Sequence, residues 1–266
     1  MKLLNADLLR MELRRDFKGL LTWTLALALS MYVVILIYPM VIDMYAAIPP
    51  EFYPMMEAFG GIPDTVVEYY ATEGGMMLQL FGAIFAALAG FGAINRDERE
   101  RTAESLYVLP IRRTAFFVTK ITRVSLEVLF FILVNAVASY LGFLSVAETI
   151  DYRSFLLFTG LNGVVLLMFA WLCFAMACLM KPNAKQMSAI AIPFVLYVIS
   201  VISLLTSDDG ILGYLKYTTP FTFSDPVEIL KADFRFEWIS FTVYMSLTVI
   251  ATIAAWRAFQ KREFAF

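Results

Sequence analysis

Six long apolar segments, none with a charged residue, divide this chain of 266 residues. They are Leu20–Ile42, Gly74–Ile94, Val128–Ala147, Ser154–Met180, Gln186–Ser207 and Trp238–Trp256. About 20 apolar residues in a helix cross a bilayer core of about 30 Å, and each segment is close to or above that length. The sequence therefore predicts an all-α integral membrane protein with six transmembrane helices.

The composition supports a membrane protein and excludes several kinds of site. Hydrophobic residues make up 61% of the chain and charged residues 17%, whereas a soluble domain is roughly 25% charged. The sequence has no histidine, the commonest general base and a frequent ligand of zinc. Cys173 and Cys178 lie in one apolar segment and are interpreted as packing residues. We expect no catalytic, cofactor or metal site in this chain, and a net charge of −2 argues against a nucleic-acid partner.

Basic residues are distributed unevenly between alternate loops. Of the 21 Lys and Arg residues, 17 fall in the N-terminal segment, the loops after the second and fourth apolar segments, and the C-terminal tail. An excess of Lys and Arg marks the cytoplasmic side of a membrane protein. The sequence therefore predicts a multi-pass protein of the cell membrane with both termini in the cytoplasm.

Two segments outside the apolar runs have amphipathic patterns. In residues 1–19, Leu4, Leu8 and Met11 follow helical spacing among charged residues, which predicts an interfacial helix lying in the membrane plane. The alternative is a cytosolic extension of the first membrane helix. The external segment 208–237 is too apolar for a solvated loop, so we expect short re-entrant helices there before the sixth membrane helix. The alternative is an ordinary folded loop packed on the helix ends.

The second apolar segment carries small residues at spacings of three and four. They are Gly82, Ala86, Gly90 and Ala93. Small side chains allow membrane helices to approach each other closely. This face is interpreted either as close packing within the chain or as a contact with a second subunit or a translocation path.

The cytosolic loop 96–123 begins with many charges and continues with hydrophobic residues. It reads RDERERTAESLYVLPIRRTAFFVTKITR. Helix-forming residues dominate its first half, and Pro110 ends the predicted helix. Such a segment is either a docking element for a cytosolic partner or a solvated helical hairpin.

This loop resembles the signature E-x-E-x-G-T-x-E-x-L-L-x-x-P-x-x-R of the ABC-2 type permeases. Arg101 stands where that signature usually has glycine. The external stretch YLKYTTPFTFSDPVEIL and the basic tail WRAFQKREF are also similar to these permeases. The resemblance implies a single six-helix permease domain over residues 1–266, in which the loop forms a coupling helix. The partner-coupling residues are then Glu98, Glu100, Thr102, Glu104, Leu106, Leu109, Pro110 and Arg113.

The resemblance also implies partners and a function. Such permeases pair two membrane subunits with two ATP-binding subunits, so the expected partners are an ABC ATPase subunit, a second permease copy or a related permease, and membrane lipid. The chain has no G-x-x-x-x-G-K-[ST] sequence, so ATP and Mg are expected in the partner ATPase. The expected function is export of an amphipathic or hydrophobic substrate. A non-transporting scaffold or regulatory membrane protein is the second hypothesis, and a lipid-modifying membrane enzyme is the third.

Overall fold

The computed structural model describes residues 4–53, 63, 65–99, 111–147, 150–180, 184–204, 211–230 and 234–261, and these ranges contain helices and no β-strand. The helices are α1 (Ala6–Leu36), α2 (Tyr38–Ala46), α3 (Val66–Tyr69), α4 (Met76–Arg99), α5 (Arg113–Ser145), α6 (Tyr152–Leu179), α7 (Met187–Leu204), α8 (Pro226–Leu230) and α9 (Trp238–Lys261). A π-helical turn, Tyr70–Gly75, joins α3 to α4. Short 3₁₀ helices are Pro50–Phe52, Ile211–Thr218 and Pro220–Ser224.

Five helices are long and apolar enough to cross a membrane. They are α1, the continuous rod that α3 and α4 form, α5, α6 and α9. α7 is also apolar, but it is shorter and contains Pro193. The chain is therefore a multi-pass α-helical membrane protein, and the predicted total of six spans depends on α7.

α4 and α6 form the centre of the bundle, whereas α1 and α9 lie at its periphery. In the apolar windows of the α3–α4 rod and α6, 61% and 67% of the residues are buried, compared with 28% in α1 and 22% in α9. The exposed faces of the two peripheral helices carry apolar side chains such as Leu29 and Ile250. Lipid tails suit such faces, so the burial pattern agrees with the membrane assignment.

α1 corrects one prediction, because it is a single helix from Ala6 to Leu36. The described part of residues 1–19 does not form a separate interfacial helix and instead extends the first membrane helix. The Asn5 side chain caps the helix by accepting a hydrogen bond from the Leu8 N–H at 3.0 Å. The Asn5 N–H donates to the Thr119 hydroxyl of α5 at 3.1 Å, and Leu8 and Glu12 are buried. The first turns of α1 therefore pack against α5.

The segment before α9 folds into short helices lodged between the long ones. The Phe221 ring packs against Phe169 of α6, with 5.3 Å between ring centroids, and against Tyr197 of α7 at 5.7 Å. The Gln79 amide of α4 donates to the Ser224 carbonyl at 2.8 Å. Gly75 is needed here, because a Cβ at this position would lie 2.6 Å from Pro226. Short helices thus occur where the sequence predicts them, and their re-entry into the membrane stays a prediction.

The connection between α5 and α6 is short. Ala147, just after α5, has a φ of 57°, the left-handed conformation that often ends a helix. Asp151 caps α6 by accepting hydrogen bonds from the backbone N–H groups of Arg153 and Ser154. The Ser154 hydroxyl also donates to this carboxylate and lowers the pKa of Asp151. α5 and α6 therefore form a helical hairpin.

Candidate functional site

Charged side chains from three helices meet at one end of the bundle. α1, α4 and α5 each continue beyond their apolar segments into charged sequence, and the charged turns face one another. We call this group the charge cluster. Its members are Glu12, Arg15, Asp16, Arg96, Asp97, Lys120, Arg123 and Glu127.

The inner layer of the charge cluster is a closed ring of two acids and two bases. The Lys120 ammonium lies 2.5 Å from Asp97 Oδ2 and 2.8 Å from Glu12 Oε1. The Arg15 guanidinium donates to the other oxygen of each acid, at 2.7 Å for Asp97 and 3.0 Å for Glu12. The side chains of Lys120, Asp97 and Glu12 are fully buried. Each buried charge therefore has an opposite charge in direct contact, as burial requires.

The outer layer is centred on Asp16. Its carboxylate accepts hydrogen bonds from Arg96 of α4 and Arg123 of α5. Arg123 also contacts Glu127 at 3.1 Å and donates to the Ala89 carbonyl at 3.2 Å. Arg123 thereby joins all three helices through one side chain that is 2% exposed.

Sequence reasoning counted the basic members of the charge cluster as markers of the cytoplasmic side and missed the convergence of acids and bases. A signal was available, since acids and bases alternate at the same boundary between charged and apolar sequence in three segments. Charges of both signs at one membrane depth favour pairing between helices, because an isolated charge there is costly. Among the described residues, no group of three Asp, Glu or Cys side chains could hold a metal ion.

In the sequence, the predicted partner-coupling residues run from the last turn of α4 to the first residue of α5, two of the three helices that supply the charge cluster. Glu98 is in the last turn of α4. Arg113 begins α5 and donates a hydrogen bond to the Gln260 carbonyl near the end of α9, at 2.7 Å. The predicted coupling residues Glu100, Thr102, Glu104, Leu106, Leu109 and Pro110 lie outside the described residues, as does the side chain of Glu98. Their coupling role stays a prediction.

The small-residue face of α4 packs inside the chain. A Cβ on Gly90 would lie 1.9 Å from the Ala170 carbonyl oxygen of α6, and one on Gly82 would lie 3.1 Å from the Leu166 side chain. Ala86 and Ala93 are fully buried. Gly82 and Gly90 therefore lie against α6, and Ala86 and Ala93 are buried within the chain, whereas a role of this face in a subunit contact stays a prediction.

Comparison with known proteins places this arrangement in a family. The family model described as "ABC-2 family transporter protein" matches residues 6–264. No match is found among curated proteins. The matched range includes the charge cluster, residues 100–110 and the helices α1 to α9 of the described residues.

Proposed function

The chain belongs to the ABC-2 transporter family, and we propose that it is the membrane-spanning permease subunit of an ATP-driven exporter. Its cargo is an amphipathic or hydrophobic molecule, and a separate ABC ATPase subunit hydrolyses the ATP. The absence of a G-x-x-x-x-G-K-[ST] sequence supports this division, since the phosphate-binding loop must then come from a partner. ATP and Mg²⁺ are accordingly placed in the partner.

The observation that carries this proposal is the position of the charge cluster on both sides of residues 100–110. Asp97 lies shortly before this stretch and Lys120 shortly after it, and the two are joined at 2.5 Å. Arg15 links the same pair to α1. Lys120 and Asp97 are fully buried and would lose their partners if the helices separated, so we expect a force on residues 100–110 to move α1, α4 and α5 together. An ATPase docked on this loop would thereby act on three membrane helices.

The proposed topology places both termini and residues 100–110 in the cytosol, with α7 as the sixth span of the cell membrane. Residues 208–237 then lie on the outer side and re-enter the membrane. The working unit contains a second permease copy or a related permease. Because the small-residue face of α4 is buried within the chain, the exposed apolar faces of the peripheral helices supply the subunit contact.

Coupling through the loop is tested at Leu106. Truncating or charging a desolvated anchor weakens an interface by about 2 kcal/mol or more, which is roughly 30-fold. Leu106→Asp should lose binding of the ATPase in a pull-down and lose transport-linked ATP hydrolysis in lipid. Leu106→Met keeps an apolar side chain and should retain both. Unchanged binding and hydrolysis in a well-expressed Leu106→Asp protein would contradict the coupling role.

The same assay separates the permease from the scaffold hypothesis. A permease should raise ATP hydrolysis by the bound ATPase when cargo is present, whereas a scaffold should bind the ATPase without that response. Stable binding with no response to any of a panel of amphipathic cargos would favour the scaffold.

Topology is tested by labelling introduced cysteines with a membrane-impermeant thiol reagent in intact cells. Glu51→Cys, on the proposed outer side, should react, and Arg99→Cys should react only after the cells are opened. Cys173 and Cys178 are buried and should give little background. Labelling of Arg99→Cys from outside would overturn both the orientation and the coupling argument.

A further inference from the structure

A cleft of about 500 Å³ opens beside the charge cluster, between α1, α4 and α5. Five bases and two acids line it, and we call the part of the lining around Lys18, Arg99 and Arg123 the cationic wall; the acids are Asp16 and Glu127 of the charge cluster. Its apolar wall includes Trp23 and Phe85. The cleft thus combines positive charge with an aromatic surface over a short distance.

The cleft lies where all three helices change from charged to apolar sequence. The change follows Lys18 in α1, precedes Arg96 in α4 and follows Glu127 in α5. In a membrane protein such a boundary marks the level at which lipid headgroups meet the hydrocarbon core. A ligand in this cleft would therefore reach both environments.

The charges around the cleft favour an anion. The charge cluster holds four bases and four acids, so it is balanced by itself. Lys18 and Arg99 are exposed and line the cleft, and no acid of the described residues forms an ion pair with either of them. Arg123 is 2% exposed, and its buried Nε has no hydrogen-bond partner within the described part of the chain. Among the described residues the cleft therefore has two positive charges beyond the balanced cluster, and two of its arginines, Arg15 and Arg123, each have a buried Nε without a hydrogen-bond partner.

Two glycines keep the cleft open. A Cβ on Gly19 of α1 would meet no atom within 4 Å. On the facing wall, a Cβ on Gly92 of α4 would meet only the Gln186 amide, at 3.7 Å. The backbone of both helices thus borders free space that a ligand can fill.

We propose that this cleft binds one anionic phospholipid. The phosphate lies among Lys18, Arg99 and Arg123, and an acyl chain lies along Trp23 and Phe85. A soluble anion would use the cationic wall and leave the apolar wall hydrated, whereas a lipid matches both walls. Under the proposed topology the lipid comes from the cytosolic leaflet, but its binding does not depend on the transport function.

The test uses Trp23 as a reporter in lipid nanodiscs. Bromine atoms on lipid chains quench the fluorescence of a tryptophan that they contact. The full chain would keep Trp23 and carry phenylalanine at Trp171, Trp238 and Trp256. Brominated phosphatidylglycerol should quench Trp23 more strongly than brominated phosphatidylcholine at the same mole fraction. If the triple variant fails to fold, the difference between the unmodified protein and Trp23→Phe gives the same signal.

Matched variants locate the headgroup. A Lys or Arg near an anionic membrane surface contributes about five-fold in affinity, equivalent to about 1 kcal/mol. Lys18→Gln and Arg99→Gln should therefore each lower the preference for the anionic lipid about five-fold. Lys185→Gln, an exposed lysine outside the cleft, should leave it unchanged. A protein that keeps only Trp238, which is 68% exposed on α9, should show equal quenching by the two lipids.

A steric variant tests the cleft itself. Gly19→Phe should fill the free space and abolish preferential quenching, while Gly160→Phe, at a glycine of α6 that is equally open, should not. Equal quenching of Trp23 by the two brominated lipids would overturn the proposal. So would a preference that survives both Lys18→Gln and Arg99→Gln. Loss of the preference on adding inorganic phosphate at constant ionic strength would assign the site to a free anion and also overturn it.

Discussion

The two ends of the helix bundle are held together by different chemistry. At the end that carries the charge cluster, ionised side chains of α1, α4 and α5 contact one another, and Lys120, Asp97 and Glu12 are fully buried. At the opposite end, contacts between aromatic rings and neutral hydrogen bonds dominate. There the Tyr70 ring packs edge-on against Phe143, and its hydroxyl bonds to Ser139 at 2.8 Å.

This difference predicts different responses to damage. A buried charge that loses its partner keeps its desolvation penalty, so loss of one member of the charge cluster destabilises the whole group. A neutral hydrogen bond contributes about 1 kcal/mol, and its loss is local. A single substitution at the charged end should therefore destabilise the whole charge cluster. At the aromatic end, each substitution should remove only the stability that its own contact contributes.

The largest loss is expected for Lys120→Met. This change removes from the buried carboxylates of Glu12 and Asp97 the ammonium that contacts both, and it should lower the free energy of unfolding by about 3–5 kcal/mol. Equilibrium unfolding in mixed micelles would measure it. Lys185→Met, at an exposed lysine, should change the free energy little. A loss below about 1 kcal/mol for Lys120→Met would mean that the inner layer is hydrated.

Neutralising a carboxylate that contacted Lys120 should then restore part of the stability of the Lys120→Met protein. Adding Glu12→Gln leaves one carboxylate, Asp97, in contact with one base, Arg15, so part of the loss should be regained. If the two changes instead add up independently, the charge cluster does not act as a unit.

Gly90→Ala tests the contact between α4 and α6, and it should cause the next largest loss of stability. The new Cβ would lie 1.9 Å from the Ala170 carbonyl oxygen, so α4 and α6 must separate. Overpacking of this kind costs about 1–3 kcal/mol, and contact with backbone places it in the upper part of that range. Thermal unfolding in detergent would measure the loss, with Gly160→Ala as the control at an open glycine. Equal melting temperatures for the two variants would show that the α4–α6 contact is loose.

At the aromatic end, Gln79→Leu should cost about 1–2 kcal/mol. The Ser224 carbonyl loses its 2.8 Å donor, but the Asn162 amide remains at 3.4 Å and compensates in part. Limited proteolysis of the segment before α9 would report the local loosening. Faster cleavage there, with unchanged cleavage near the charge cluster, is the expected result. Loosening of both ends would contradict the separation between them.

The smallest effect is expected for Tyr70→Phe. The ring contacts remain, and Ser139 keeps its hydrogen bond to the Asn135 carbonyl at 3.0 Å. The loss should therefore be about 1 kcal/mol. Measuring the free energy of unfolding of Tyr70→Phe and Lys120→Met under the same conditions would compare the two ends directly. An equally large loss in the two variants would refute the proposed difference between the ends.

Much of the fold could be predicted from the sequence, because membrane helices are encoded locally by uninterrupted apolar runs. The packing of the first turns of α1 against α5 could not be predicted in this way. Leu8 and Glu12 lie on one helical face, and a face of this kind suits a membrane surface as well as a neighbouring helix. The deciding contact, between Asn5 and Thr119, joins residues that are far apart in the sequence.

The candidate site was predictable only in part for the same reason. The spacing of small residues indicated a close helix contact at Gly90, but the identity of its partner, Ala170, depends on how α4 and α6 cross. Likewise, Lys120 and Asp97 carry the expected signs, but their pairing depends on the rotation of two helices about their axes. Periodicity along one segment contains no such information.

The continuity of α1 has a mechanical consequence. A helix of 31 residues is a rod of about 46 Å, and α1 has no proline and a single glycine, Gly19, at which to bend. One end is clamped through Arg15, and the other fits against Gly142 of α5, where a Cβ would lie 2.9 Å from Ile35. A tilt imposed at the clamped end is therefore carried along the whole rod to the contact between Ile35 and Gly142. In this way α1 connects the charged end of the bundle mechanically to the opposite end.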